Sequence, residues 1–543
     1  MVRRSGRGCF ARLLILLIIA TVGAILLAPY VPLNRFKPEV ESALSTQLGR
    51  KVTVGNMHLS LSRGPALVIE DLTAQEDPAF ASGNTIEAGK VTLGLAIGPL
   101  ITNRQTVVRS LVLDSAHVTF NRDSRGAWSW STLGNPAGRS ALIQPGPARD
   151  WSRALIARTI AINETGDAGL REINPRSESM MTLMWVLLTP DQMGTLQSID
   201  LRHASVTFVE GGPDKPKQTM FDGIDMSAAL SPARDEPEPL THAVGMLRAA
   251  SEKTETTELL NADLPFDLKA GVADVGGYTV SGTVGPGSLQ TAAFAVQDFQ
   301  SSVTVNANIA RFDEIQANLY EGQLRGGVQL DLASPRPRFA VEGKLNNVNI
   351  DQSIGGLFGI TGAVTGHITG DLKLIGLMAE LPQSFPSLSG DGQLSSEDLF
   401  LSNINLGEQV ARRLGVTAIG NMAPGTNVGH IEGQFRISGG SVTVQNLHVK
   451  QLDGLGDAAT DRGTINVGFS GSRPNIQLDF PTTVTLSQEA EATTRQASPL
   501  LGIAASLLGQ SNQLSVPIHI TGDLLSPQVL VDLPRILRSL GQP

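Results

Sequence analysis

The chain has 543 residues and a formal net charge of −9, from 42 Lys and Arg against 51 Asp and Glu. That acidity argues against nucleic-acid binding, which needs a cationic surface to displace counterions from phosphates. The single cysteine excludes a disulfide framework and any zinc site built on two or more thiolates.

Phe10 to Val31 (FARLLILLIIATVGAILLAPYV) is the one segment suited to spanning a bilayer, with Arg12 as its only charge. Its uninterrupted part, Leu13 to Ala28, is 16 residues, short of the ~20 a span needs. Snorkelling of the Arg12 guanidinium to the headgroups extends the usable length. A cleaved signal peptide is the competing reading, but cutting after Ala28 puts bulky Leu26 at the −3 position and Pro29 just past the cut, so an uncleaved anchor is preferred. Arg3, Arg4, Arg7 and Arg12 precede the span, Arg35 and Lys37 follow it, and the more positive side stays in the cytoplasm. The expectation is a basic cytoplasmic tail over 1–12, a transmembrane helix over 13–32, and a large remainder outside the cytoplasm. In a Gram-negative bacterium that space is the periplasm. Met180 to Leu188 and Leu500 to Leu508 are too short to span.

The remainder divides by pattern into 33–133, 134–264 and 265–543. Pro38 to Leu48 reads as a short amphipathic helix, with Pro in its first turn and Gly49 to close it. Alternation follows at Val52 and Val54, then at Met57, Leu59 and Leu61, with a break at Gly55-Asn56. Val91, Leu93, Leu95 and Ile97 continue it, then Leu111 and Leu113, then Val118 and Phe120. Ser110 to Phe120 (SLVLDSAHVTF) resembles Ser198 to Phe208 (SIDLRHASVTF) without a gap, as if one strand–turn–strand unit were used twice. In the middle region, Gly134 to Arg149 reads as a loop and Ser177 to Leu188 as a helix stopped by Pro190. Ser231 to Glu258, with ARDEPEP and SEKTETTE, reads as an exposed loop or helix. From Pro265 on, alternating runs are nearly continuous, punctuated by Gly, Asn and Asp at hairpin-like intervals. Short helices are expected at Gln352 to Phe358, Gly407 to Leu414, Ser487 to Gly509 and Leu533 to Leu540.

The pattern predicts a mainly β protein: an elongated, curled antiparallel β-sheet (a β-groove) behind a single N-terminal transmembrane helix, with few short helices. More than a dozen strands carry one apolar face each, and few helices exist to cover them. Each such face must meet a second sheet, its own curl or an apolar ligand. Chemistry-bearing motifs are missing. No two of the eight histidines have metal-ligand spacing, and there is no nucleophile elbow, Walker loop or dinucleotide fingerprint. Glu432, Asp453, Asp457 and Asp461 read as solvated hairpin charges, and Trp128 and Trp130 as local core. No enzyme activity, no metal and no cofactor is expected.

The segments LGRKVTVGNMHLSLSRGPALVIEDL (Leu48 to Leu72) and LVLDSAHVTFNRDSRGAWSW (Leu111 to Trp130) resemble the AsmA-like family of bacterial envelope proteins. So do NLYEGQLRGGVQLDL (Asn318 to Leu332), GLFGITGAVTGHITGDLKLIG (Gly356 to Gly376), LSGDGQLSSEDLFLSNINL (Leu388 to Leu406) and VPIHITGDLLSPQVLVD (Val516 to Asp532). Ala127-Trp128-Ser129-Trp130 departs from the family pattern, which has Asn before the second Trp. The resemblance implies a single-pass inner-membrane protein with its bulk in the periplasm, acting in outer-membrane biogenesis or maintenance. It is similar, more widely, to TamB-like, YhdP-like and Chorein-type proteins that carry phospholipid acyl chains along a hydrophobic β-groove. The implied partners are phospholipid, the inner membrane and other envelope proteins, without nucleic acid. The apolar phase then gives the candidate lining: Val91, Leu93, Leu95, Val118, Phe120, Val206, Phe208, Val303, Val305, Val328, Leu330, Phe339, Phe435, Ile437, Val467 and Phe469. The alternative is a scaffold for outer-membrane proteins, whose sheet edges receive client strands.

Overall fold

A computed structural model describes residues 33–61, 64–96, 107–123, 128–132, 196–210, 217–232, 241–254, 257–272, 278–291, 294–306, 309–331, 337–378, 381–414, 424–471, 473–497 and 514–531. The expected membrane span, the four arginines that orient it, the loop at Gly134 to Arg149 and the helices at Ser177 to Leu188 and Leu533 to Leu540 lie outside these residues. Among the described residues no helix is long and apolar enough to cross a membrane.

Helix α1 (Lys37–Leu48) has Pro in its first turn and ends at Gly49, whose φ of 63° closes it in the left-handed conformation. Its side chains serve the strands that follow, β1 (Val52–Thr53) and β2 (Met57–Ser60). Ser45 Oγ accepts a hydrogen bond from the Val52 amide and Glu41 Oε1 from the Val54 amide, both at 2.8 Å, and Asn34 Oδ1 accepts from the Met57 amide at 2.9 Å. These amides lie on the outer edge of the sheet, where unpaired donors otherwise invite another strand.

β1 and β2 pair with the two halves of β3 (Ala66–Gln75). β4 (Asn84–Leu95) and β5 (Val108–Asn121) follow as antiparallel neighbours. β6 (Ser198–Glu210) then runs parallel to β5. An antiparallel meander continues through β7 (Lys217–Pro232), β8 (Thr241–Ser251), β9 (Leu260–Val272), β10 (Tyr278–Thr291), β11 (Ala295–Asn306), β12 (Ile309–Leu319), β13 (Gly322–Asp331) and β14 (Arg338–Asn349). After helix α2 (Ile350–Phe358), β15 (Val364–Thr365) and β16 (His367–Leu377) form one line broken at Gly366, and both pair with β17 (Ser389–Leu401). Helix α3 (Leu406–Leu414) leads to β18 (Thr426–Ser438), β19 (Ser441–Leu452), β20 (Gly456–Ser470) and β21 (Arg473–Leu486). Helix α4 (Gln488–Ala497), β22 (Ser515–Asp523) and β23 (Gln528–Val531) complete the described chain. The result is one open mixed sheet of 23 strands, about 100 Å along its hydrogen-bonding direction at ~4.8 Å per strand.

Three expectations need correction. The sheet is not antiparallel throughout, because β5 and β6 are parallel, with Leu111 opposite Ile199, Val118 opposite Val206 and Phe120 opposite Phe208. The two similar segments are therefore laid side by side in register. Neither is a strand–turn–strand unit: each is one strand kinked where its apolar phase slips, at Ser115 (φ 55°) and His203 (φ 49°). An L-residue in the left-handed region advances the strand by one face, so Leu111 and Leu113 share the apolar side with Ala116, Val118 and Phe120. Thirdly, Ser231 to Glu258 contains β8. Its inward residues, Ala243, Gly245, Leu247 and Ala249, are small enough to leave a weak alternation beside the charged flanks.

Such kinks recur in mid-strand. Asp71, Ser115 and His203 have φ near 50°, as do Asp298, Glu314, Asn347 and Asn446. Register shifts accompany them between β11 and β12, β12 and β13, β14 and β16, and β18 and β19. Bulges of this kind bend a strand and tighten its twist, and repeated across neighbours they curl the sheet about its long axis.

The concave side is packed at its two ends. At the N-terminal end Leu44, Leu48, Val54, Leu72, Val91, Leu111, Phe120 and Ile199 form a core between α1 and β1–β6. At the C-terminal end Leu406 and Val410 of α3 and Ala490 of α4 pack on Val428, Val449, Leu455, Val484 and Val516. Gln409 Oε1 also accepts a hydrogen bond from the Val529 amide of β23 at 3.0 Å. Between the two ends the buried apolar cluster is small: Ala249, Ala262 and Leu264.

Candidate functional site

The middle of the concave face carries a row of side chains placed opposite one another strand by strand. It runs Val303, Phe312, Val328, Val341, Leu374, Gly390, Ile437, Val442, Ile465 and Leu478, from β11 to β21. Every member is apolar, and the row spans roughly 45 Å. Val303 is buried, and the others are half-exposed. A second row, Val305, Ala310, Leu330, Phe339 and Gly376, lies beside it. Flanking positions such as Gln323, Arg325, Arg436 and Asn466 are exposed and polar, as alternation demands.

The candidate lining residues fall in two settings. Val91 and Phe120 are buried in the N-terminal core, with Leu93, Leu95, Val118, Val206 and Phe208 packed against it. Trp128 also lies in this core and meets Phe208 edge-on, the ring centroids 5.6 Å apart. Val303, Val305, Val328, Leu330, Phe339, Phe435, Ile437, Val467 and Phe469 lie on the β11–β20 stretch, and all but Val303 are half-exposed.

Two elements reach over this stretch from opposite rims. α2 leaves the end of β14, while the short helical segment Leu381–Ser387 leaves the end of β16, at the other end of the same strand pair. Phe358 of α2 nevertheless meets Phe385 of the segment, with centroids 5.9 Å apart, and Phe385 meets Phe469 of β20 at 6.3 Å. A straight 12-residue strand such as β14 would hold its ends about 40 Å apart, and α2 spans only about 13 Å. The contact, an aromatic bridge, joins elements from opposite rims above the sheet face, as strands curled into a trough would allow. Leu357 and Met378, beside this bridge, are 46% and 45% exposed.

The root of α2 is polar. Asn349 caps the helix, its Oδ1 accepting from the Gln352 amide at 3.1 Å. Glu321 accepts from Asn349 Nδ2 at 3.3 Å and from Gln352 Nε2 at 2.7 Å. These two hydrogen bonds hold its carboxyl below the usual carboxylate range. His367 contacts Asp398 at 2.7 Å and Glu321 at 3.8 Å. The hydrogen bond to Asp398 raises the His367 pKa above its ordinary value, against a smaller opposing effect of burial. Burial pushes Asp398 up, but hydrogen bonds from the His367 ring and backbone together pull it down.

Among the described residues the two apolar rows themselves carry no titratable side chain. Other histidines meet carboxylates on the polar face, as in His242 with Asp267 at 2.6 Å and His430 with Glu397 at 2.7 Å. Among the described residues no group of three His, Cys, Asp or Glu side chains is placed to hold a metal ion. Asp453 and Asp457 accept backbone hydrogen bonds from Asn427 and Gln451, tying down turns. A cavity of about 380 Å³ on the polar face is lined by Asp200, Arg202, Asp225 and Arg248, but its arginines already face Asp200 and Asp263.

Pairings that sequence reasoning missed involve glycine. A Cβ on Gly392 would lie 2.7 Å from the Phe435 ring, one on Gly245 2.6 Å from the Phe266 ring, and one on Gly376 3.0 Å from the Phe339 ring. A Cβ on Gly463 would overlap the Phe480 ring. Each of these four rings lies across a glycine of the neighbouring strand. The sequence signal was the recurrence of glycines in the apolar phase, which reads equally well as turns.

Residues 3–163 match the family model of the AsmA family. No curated protein and no solved structure matches the chain. The matched residues carry α1 and β1–β5, and the half-exposed apolar rows lie beyond them. The match, confined to the N-terminal third of the chain, supports an AsmA-like family protein.

Proposed function

We propose that this protein carries or shields phospholipid acyl chains in its β-trough, as a non-enzymatic component of outer-membrane biogenesis or maintenance. In this reading its N-terminal segment anchors it in the inner membrane and its bulk lies in the periplasm. The observation that carries the reading is the cross-strand row from Val303 to Leu478, apolar at every step and half-exposed at all but Val303, although the Phe358–Phe385 bridge reaches over part of it. Exposed apolar surface of this extent requires an occupant. Each buried CH₂ gains ~0.8 kcal/mol, so a ~16-carbon chain gains roughly 12 kcal/mol before entropic losses. A lining of aliphatic side chains without a polar anchor spreads that gain along the row, so the chain can slide. Association of the AsmA family with the bacterial envelope supports the location.

The strand-accepting scaffold draws less support. The outer amides of Val52, Val54 and Met57 are already occupied by Ser45, Glu41 and Asn34, and that of Val529 by Gln409. Phospholipid and the inner membrane are the partners in this reading, with other envelope proteins supplying whatever the trough does not span.

The test is mass spectrometry of lipids extracted from the purified full-length protein, beside a Leu330→Asp/Phe435→Asp variant. Near-stoichiometric phospholipid that is lost in a folded variant is the expected result. A well-folded wild type devoid of lipid would move the weight to the scaffold.

A further inference from the structure

Phenylalanine packs in two ways on the concave face. In the N-terminal core Phe120, Phe208 and Phe221 pack on one another, centroids 5.8 and 6.2 Å apart. Along the open stretch Phe266, Phe339, Phe435 and Phe480 each lie over a glycine of the adjacent strand. A ring stacked flat on a bare backbone contributes its thickness to the trough wall. The same ring standing off the sheet contributes its length. Facing sheets filled by upright side chains are ~10 Å apart, so a few upright rings would fill the space an alkyl chain needs.

We infer that these glycine–phenylalanine pairs set the clearance of the trough, and that Gly376 with Phe339 and Gly463 with Phe480 determine how wide an apolar chain it accepts. The inference rests on the reading of the trough as an acyl-chain carrier and adds the residues that size it. The pairs differ in what a side chain would meet. At Gly245 and Gly392 a Cβ would strike the carbonyl oxygens of Ser227 and Asp371, so backbone as well as ring excludes it. At Gly376 its three nearest atoms belong to the side chains of Leu388 and Phe339, and at Gly463 to the Phe480 ring. At these two positions a side chain can be added if the ring turns away from the wall. A ring lifted off the backbone in this way moves toward the trough.

The experiment compares full-length wild type with Gly376→Val, Gly463→Val and Gly468→Val. Gly468 is on the same strand as Gly463, but its Cβ would have open space on the exposed face. Phospholipid per chain is read by mass spectrometry, alongside thermal unfolding. Overpacking of a filled site predicts a roughly tenfold loss of bound phospholipid at Gly376→Val and Gly463→Val, with Gly468→Val unchanged. Adding Phe480→Ala to Gly463→Val should restore the load, because the displaced ring is gone. The converse variant, Phe339→Ala alone, adds no bulk and should admit a sterol that the wild type excludes. Folded Gly463→Val protein with a wild-type load overturns the inference, as does a Phe339→Ala protein with unchanged ligand range. A wild type without lipid overturns instead the carrier reading beneath it.

Discussion

At the residue scale, one side chain holds the N-terminal end together. Arg50, next to the cap of α1, reaches Glu76 at 3.6 Å and Asp77 at 3.5 Å, and donates to the Ser129 carbonyl at 3.2 Å. Its side chain is 5% exposed and that of Glu76 fully buried. Breaking a buried charge cluster by removing one partner costs about 3–5 kcal/mol, because the remaining charge is left uncompensated. Arg50→Ala should lower stability by that order in denaturant unfolding. The two settings of phenylalanine separate stability from binding. Phe120→Ala removes a ring 1% exposed and should cost about 3–5 kcal/mol. Phe435→Ala, half-exposed in the trough, should cost about 1 kcal/mol while changing the lipid carried. Sequence put both rings in the same class because period reports which face a residue is on, whereas cover depends on what the far ends of the chain bring over that face. Arg50 had no sequence signal for the same reason: its partners come from two separate segments, Glu76–Asp77 and the turn at Ser129.

At the element scale, α2 is a roof fixed at its root. Raising His367 above its ordinary value of 6.5 makes its contribution fully present below that pH and lost as pH rises through the raised folded value. Glu321 and Asp398 are lowered, so their contribution is present above the ordinary carboxylate range and lost as pH falls through their folded values. The root should therefore be tightest between these limits, and hydrogen exchange of α2 should quicken on leaving the window at either side. Asp398→Asn removes the largest cause of the raised His367 value and should weaken the alkaline limb, leaving the smaller part due to Glu321. The edge elements make a separate prediction. Asn34→Ala/Glu41→Ala/Ser45→Ala uncovers three edge amides, and size-exclusion chromatography should then show self-association absent from the wild type. Helices α1, α2 and α3 were legible in sequence from their punctuation, Pro and Gly for α1 above all. Strand β8 was not, since Ala and Gly on its inner face carry little hydrophobic contrast.

At the scale of the whole molecule, the sheet itself was legible: a long series of alternating runs with too few helices to cover them leaves one architecture. Its curl was legible only as an inference, and the kinks that produce it are hidden in single residues such as Asp71, Ser115 and His203, whose φ no period reveals. Packed ends and an uncovered middle predict uneven stability. By hydrogen exchange, β3–β6 and β19–β22 should be the slowest strands and β9–β14 faster, because local opening is cheap where few apolar contacts are buried. Phospholipid should slow the middle strands selectively.

Among the described strands, the parallel contact between β5 and β6 is the one place where the chain returns to the rim it started from. On either side of it, direction alternates strictly, so every connection's rim is decided by counting strands. A parallel seam resets that count. Strands can be gained or lost in odd number on one side without moving α2, α3 or their bridging contacts on the other to the wrong rim. The seam joins two similar sequences in register. The length of such a trough is therefore adjustable in single-strand steps, where an uninterrupted meander allows only pairs.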